Sequence, residues 1–163
     1  GDVYPGEFDQ LLAALPEHRR DGNIPGALHE LLMSDDPETC DKAALAWVTW
    51  EERIATSSGP VQPSTRTNDP RARLGFARLV THYFGNAAFQ PDDAILSRLD
   101  RLAGVPAVLC HGRLDLAGPA DVAWDVARRW PGAELHIVDG VGHLGSDRMN
   151  ALMVAATDRF APL

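Results

Sequence analysis

Two segments decide the fold: Val105-Pro-Ala-Val-Leu-Cys-His-Gly-Arg-Leu-Asp115 and Ala133-Glu-Leu-His-Ile-Val-Asp-Gly-Val-Gly-His143. In the first, Val105–Cys110 is a short apolar run, as expected of a strand buried on both faces of a parallel sheet. It gives way to a mostly polar loop, His111-Gly112-Arg113-Leu114-Asp115. Gly118-Pro119 then opens a helix. Pro suits its first position, and Asp121 in the first turn complements the helix dipole. Ala123, Val126, Ala127 and Trp130 recur at i, i+3, i+4 and i+7, so one face of this helix is apolar. Arg128 and Arg129 suit its last turn, and Pro131-Gly132 stops it. Leu135–Val138 reads as a second short strand, ending in the loop Gly140-Val141-Gly142-His143.

A strand–helix–strand unit implies parallel strands and a right-handed crossover. Asp115 follows the carboxyl end of the first strand and His143 that of the second. In open α/β sheets this edge is where ligands and chemistry sit. An Asp that accepts a hydrogen bond from an imidazole fixes its tautomer and stabilises the imidazolium, which is what a general base needs. A plainer reading has Asp115 capping the next helix and His143 as an ordinary loop residue. A metal held by His111, Asp115 and His143 would want a second carboxylate or a close His pair, and the sequence offers neither. No metal or other cofactor is expected. Cys110, on a buried strand, reads as packing rather than as a thiol nucleophile.

Gly-Arg-x-Asp-x-x-x-Pro (Gly112, Arg113, Asp115, Pro119), Ala-Trp (Ala123, Trp124), Trp-Pro-x-Ala-x-Leu (Trp130, Pro131, Ala133, Leu135) and Gly-His (Gly142, His143) follow one another in order. The pattern resembles the C-terminal part of the proline iminopeptidase (prolyl aminopeptidase) family of α/β-hydrolases. The resemblance implies that Asp115 and His143 are the acid and base of a Ser–Asp–His triad. In that fold the chain order is Ser, Asp, His, so the Ser would lie upstream. The sequence holds no Gly-x-Ser-x-Gly; its serines are Ser34, Ser57, Ser58, Ser64, Ser97 and Ser146. The expected fold class is therefore α/β, the C-terminal part of an α/β-hydrolase. A helical cap over 1–98 is followed by a β-α-β-α unit with two parallel strands over 99–163. The N-terminal part of the core, with the nucleophile, is the missing partner, and the chain alone is expected to be inactive. The alternatives are a non-catalytic amine-binding remnant, a bare fragment, or another α/β-hydrolase, an esterase or amidase, with a similar cap.

Bulk properties are those of a globular protein. The 163 residues suit one domain on length alone, are 45% hydrophobic and 23% charged, and carry a net charge of −8. That charge argues against a nucleic-acid or anionic-membrane surface, since phosphate contacts need clustered Lys and Arg. No apolar run approaches the ~20 residues of a membrane span, and no signal peptide is read. Cys40 and Cys110 are expected as free thiols in a reducing, cytoplasmic compartment.

Upstream the pattern is helical. Phe8, Leu11, Leu12 and Leu15 share one face, and Ile24–Met33 carries Leu28, Leu31 and Leu32. His29 reads as an ordinary surface or interface residue. Asp36 is a good N-cap, with Pro37 at the first position of a helix running to about Ala55. Cys40, Ala44, Trp47 and Glu51 fall at i, i+4, i+7 and i+11, so Glu51 continues an apolar stripe. A carboxylate there either reaches water or awaits a cation. Ala-Trp-x-x-Trp-Glu (Ala46, Trp47, Trp50, Glu51) resembles the family's cap segment. By that resemblance Glu51 binds the free amine of an N-terminal proline, with Trp50 and Tyr83 also in the substrate site. The implied partner is a small peptide or amide substrate with a free N-terminal amine. Ser57 to Pro70 reads as a loop, and a helix resumes from Arg71 into His82-Tyr83-Phe84, residues that also suit simple packing. Family members usually carry a second Glu where this chain has Val80, which puts strict proline specificity in question. Pro91–Leu102 leads back into the sheet. A last helix from Ser146 or Asp147 has Met149, Leu152, Met153, Ala156 and Phe160 on its packed face.

Overall fold

The computed structural model describes residues 2–56, 61 and 64–161. They form two compact units. The first runs to Pro91 and the second from Asp92, with Ala55 and Thr56 grouped into the second.

The first unit is helical: α1 Pro5–Ala13, α2 Ile24–Leu32, α3 Pro37–Ala55, the single turn α4 Thr65–Asn68, and α5 Pro70–Gly85. Four of these helices begin on a side-chain oxygen, which answers N–H groups that have no partner inside the helix. Asn23 accepts from Gly26 N at 3.0 Å and Asp36 from Thr39 N at 3.1 Å. Ser64 accepts from Arg66 N at 3.1 Å and Asp69 from Arg71 N at 2.8 Å. Leu11, Leu15, Leu28, Leu32, Ala44, Trp47 and Ala77 meet in one core. Helices α2 and α5 approach very closely. A Cβ on Gly85 would stand 2.9 Å from the Cα of Gly26, and Asn23 Nδ2 donates to Gly85 O at 2.8 Å. Of the loop expected over Ser57 to Pro70, residues 57–60, 62 and 63 lie outside the described residues; the remainder includes the turn α4.

The second unit runs through a 3₁₀ segment, Leu96–Leu102, then β1 Ala107–Gly112, α6 Ala120–Arg129, β2 Ala133–Val138 and α7 Asp147–Phe160. The strands pair in parallel, with Ala107 opposite Ala133 and Gly112 opposite Val138. This is the β-α-β-α order expected, within the α/β class. Met149 and Leu152 of α7 pack with Val138, Val141 and Cys110, and Arg159 binds Glu134 at 2.8 Å. These contacts put α7 on the face of Cys110, Glu134 and Val138, since alternate strand residues share a face. Helix α6 packs against both strands and the 3₁₀ segment. Its Ala123, Val126 and Ala127 are half-buried while Val122 and Trp124 are exposed, so the 3.6-residue pattern is met.

Apart from the strand ends, where β1 covers Ala107–Gly112 rather than Val105–Cys110 and β2 begins at Ala133 rather than Leu135, three details differ from the sequence reading. Helix α6 starts at Ala120, with Pro119 as its cap residue rather than its first residue. Met153 is exposed rather than packed. The third concerns β1, whose Val108, Leu109, Cys110 and His111 are only half-buried. Its apolar run suits a strand with neighbours on both edges, yet among the described residues it pairs with β2 alone. A two-stranded sheet leaves part of each face uncovered.

The α2–α5 crossing gives a test. Gly85→Ala should lower the unfolding free energy by ~1–3 kcal/mol, because the methyl meets backbone that cannot yield. Gly75→Ala, on the same helix with nothing within 4 Å of the new methyl, should raise it by up to ~1 kcal/mol through helix propensity. Urea unfolding of both variants measures the contrast.

Candidate active site

The two strands end level, at Gly112 and Val138, and their loops stay stitched beyond the sheet. Arg113 N donates to Val138 O at 3.0 Å, and Leu114 N to Val141 O at 2.8 Å. Arg113 also pairs through its side chain with Asp139. The crossing is close enough to require glycine. A Cβ at Gly112 would overlap the carbonyl oxygen of Val141 and lie 2.7 Å from that of Gly142. Any side chain there would drive the two loops apart.

This stitching brings Asp115 and His143 together. His143 Nδ1 lies 3.0 Å from Asp115 Oδ2. The other carboxylate oxygen, Oδ1, accepts from Ala117 N at 3.0 Å and Gly118 N at 2.9 Å. Asp115 is buried and the His143 side chain is half-exposed, at 9% and 51%. A buried carboxylate with two backbone donors on one oxygen has a single orientation available for the other. That oxygen accepts from the imidazole, so the proton of a neutral His143 sits on Nδ1. Nε2 keeps its lone pair and can take a proton from a nucleophile. Burial alone pushes the Asp115 carboxyl upward. The Gly118 N–H, the His143 contact and the Ala117 N–H outweigh it, and the carboxyl is held below its ordinary range.

The sequence offers His111 only as a metal ligand. Its Nε2 lies 2.7 Å from Gly118 O and 3.7 Å from Asp115 Oδ2, so it belongs to the frame around the carboxylate. Sequence reading missed this role of His111 and that of Gly112. Their place in the run His-Gly-Arg-x-Asp was the available signal.

The remaining candidates lie in the first unit. The stripe Cys40, Ala44 and Trp47 is buried, and Glu51 continues it half-buried. Trp50 packs against Phe8, ring centroids 5.3 Å apart. Val80 is partly buried against the helical core. Tyr83 is exposed at 47% and meets His82 and Phe89 edge to face, at 5.8 and 5.7 Å. Phe89 closes a turn in which Ala87, Ala88 and Phe89 all take left-handed φ, 49°, 52° and 57°. L side chains disfavour that conformation, which marks a constrained site. His29 is half-buried, with Nδ1 3.1 Å from Thr81 Oγ1.

No family model matches the chain. Curated relatives do. It is 38% identical to the probable proline iminopeptidase of Streptomyces coelicolor over 165 residues, 99% of this chain and 50% of that protein. It is 36% identical to the proline iminopeptidase of Xylella fastidiosa, over 97% of this chain and 51% of that protein. The proline iminopeptidase of Arabidopsis thaliana is 32% identical over 99% of this chain and 43% of that protein. The chain thus spans about half the length of the curated relatives it matches.

The depressed Asp115 carboxyl has a consequence for stability. A lowered folded-state pKa contributes stability that is full above the unfolded value, ~3.9, and is lost as the pH falls through the folded value. Asp115→Asn should therefore lower the Tm at pH 6, and the gap to wild type should close below about pH 4. Thermal melts across that range test it. A gap that stays constant would mean that the carboxylate charge contributes nothing to folding.

Proposed function

We propose that this chain, which belongs to the proline iminopeptidase family of α/β-hydrolases and corresponds to its C-terminal part, carries the acid and base of a serine aminopeptidase that releases N-terminal proline from peptides. The observation that carries the reading is the hydrogen bond from His143 Nδ1 to the buried Asp115 carboxylate, at the carboxyl edge of two parallel strands. His143 Nε2 would take the proton of an attacking Ser hydroxyl as the acyl-enzyme forms and return it to the leaving amine. A water activated by the same nitrogen would then release proline. Asp115 holds the tautomer and stabilises the imidazolium throughout. The Ser belongs to the N-terminal part of the hydrolase core, outside these 163 residues. The uncovered sheet faces and the half-buried β1 suit a partner that completes the sheet.

Glu51 takes the substrate's ammonium in this reading, with Trp50 and Tyr83 as apolar walls. A carboxylate at the end of a buried stripe is the residue type such a contact needs, because a charge-assisted bond rejects N-blocked peptides. Val80, apolar and set against the helical core, offers the amine no second anion, which favours a broader choice of N-terminal residue than proline alone. Both cysteines are free, which fits a reducing, cytoplasmic setting. Among the described residues no helix is long and apolar enough to cross a membrane.

The purified chain should not release proline from a prolyl naphthylamide. Joined to the N-terminal half of the Streptomyces coelicolor relative, it should. In that hybrid His143→Ala should abolish turnover. Glu51→Gln should raise KM for free-amine substrates roughly tenfold or more, the equivalent of a lost charge-assisted contact of ~1.5–3 kcal/mol, and should spare neutral esters. Turnover by the chain alone that His143→Ala abolishes would overturn the reading. Equal losses on amines and esters would reduce Glu51 to a structural residue.

A further inference from the structure

We infer that His111 is a positioning residue for Asp115, acting through the backbone of Gly118. A carbonyl oxygen can only accept, so the 2.7 Å contact between His111 Nε2 and Gly118 O requires the proton on Nε2. The same residue, Gly118, gives its N–H to Asp115 Oδ1 at 2.9 Å. Gly118 is thus held at both ends, its carbonyl by His111 and its amide by Asp115. The three residues close a ring. Gly118 has no side chain to anchor it, and a Cβ built there would touch nothing within 4 Å. The bond from His111 takes the place of that missing packing.

The ring bears directly on the catalytic pair. Oδ1 is fixed by Ala117 N and Gly118 N, and that sets where Oδ2 points. Oδ2 faces two imidazoles, His143 Nδ1 at 3.0 Å and His111 Nε2 at 3.7 Å. The longer distance is not a hydrogen bond, and the His111 proton is already committed to Gly118 O. His111 therefore flanks Oδ2 without competing for it, and leaves its acceptor capacity to His143. Without the bond to Gly118 O, the loop from Asp115 to Pro119 loses its hold on the strand, and the carboxylate is free to turn away from His143.

This inference rests on the Asp–His pairing above, and one experiment separates the two. Two-bond proton–nitrogen NMR correlations on the 163-residue chain, at a pH where His143 is neutral, report which ring nitrogen carries its proton. Wild type should show the Nδ1–H tautomer, and Asp115→Ala the Nε2–H form that free imidazole favours. His111→Gln, whose amide nitrogen reaches the place of Nε2, should keep the Nδ1–H signature. His111→Asn, polar but too short for Gly118 O, should lose it, as should His111→Leu. If His111→Asn keeps the wild-type tautomer while Asp115→Ala loses it, the role of His111 is overturned and the pair stands. If Asp115→Ala leaves His143 unchanged, the pairing fails and this inference fails with it. If Gln behaves as Asn does, the ring's shape rather than its donor holds the loop, and the inference is again overturned.

Discussion

The second unit depends on the absence of a side chain at Gly112. Two parallel strands lie side by side for six residues each and would ordinarily diverge into separate loops. Here the backbone of Val141 and Gly142 crosses over the end of β1 at a distance that no Cβ permits. The ladder continues past the sheet through Arg113 and Leu114. Both loops are thereby held in register, and a carboxylate on one meets an imidazole on the other. A hydrogen bond between exposed loops would be weak and mobile. Built on a continued ladder, it acts as part of the scaffold.

Asp115 divides its two oxygens between its own loop and His143. On one oxygen it receives the N–H groups of Ala117 and Gly118, in the loop ahead of α6 rather than at the helix start, where Pro119 is the cap residue and no side chain caps. As the partner of His143 it receives Nδ1 on the other. A carboxylate has lone pairs enough for both, and the first duty serves the second by removing its rotational freedom. Three hydrogen bonds also overcome the cost of burying the charge, which keeps the group ionised and able to stabilise an imidazolium.

The first unit supplies a different device, a long helix whose buried stripe ends in an acid. Ala44 and Trp47 anchor α3 in the helical core, with Cys40 buried one turn before them, and Glu51 follows one turn after. The rings of His82, Tyr83 and Phe89 pack on one another beside a left-handed turn, with Tyr83 and Phe89 exposed.

By itself the sequence determined the periodic features. The cap at Asp36 joins a side-chain oxygen to an amide three residues on. The amphipathic face of α6 and the β-α-β order are likewise local patterns, written in the spacing of residues. The order of Asp115 and His143 at consecutive strand ends was legible for the same reason. Tertiary structure alone decided what depends on the approach of distant backbone. Nothing in the composition of β1 revealed that its faces are half-uncovered, because burial depends on neighbours that the strand does not itself contain. The run His111-Gly112-Arg113 marks the two residues, but that the glycine makes room for Val141 and the imidazole turns back to Gly118 is decided by the fold. The first exists only once the crossover has brought the two loops within a hydrogen bond of each other, and the second only once the β1–α6 loop has folded back on the end of its strand.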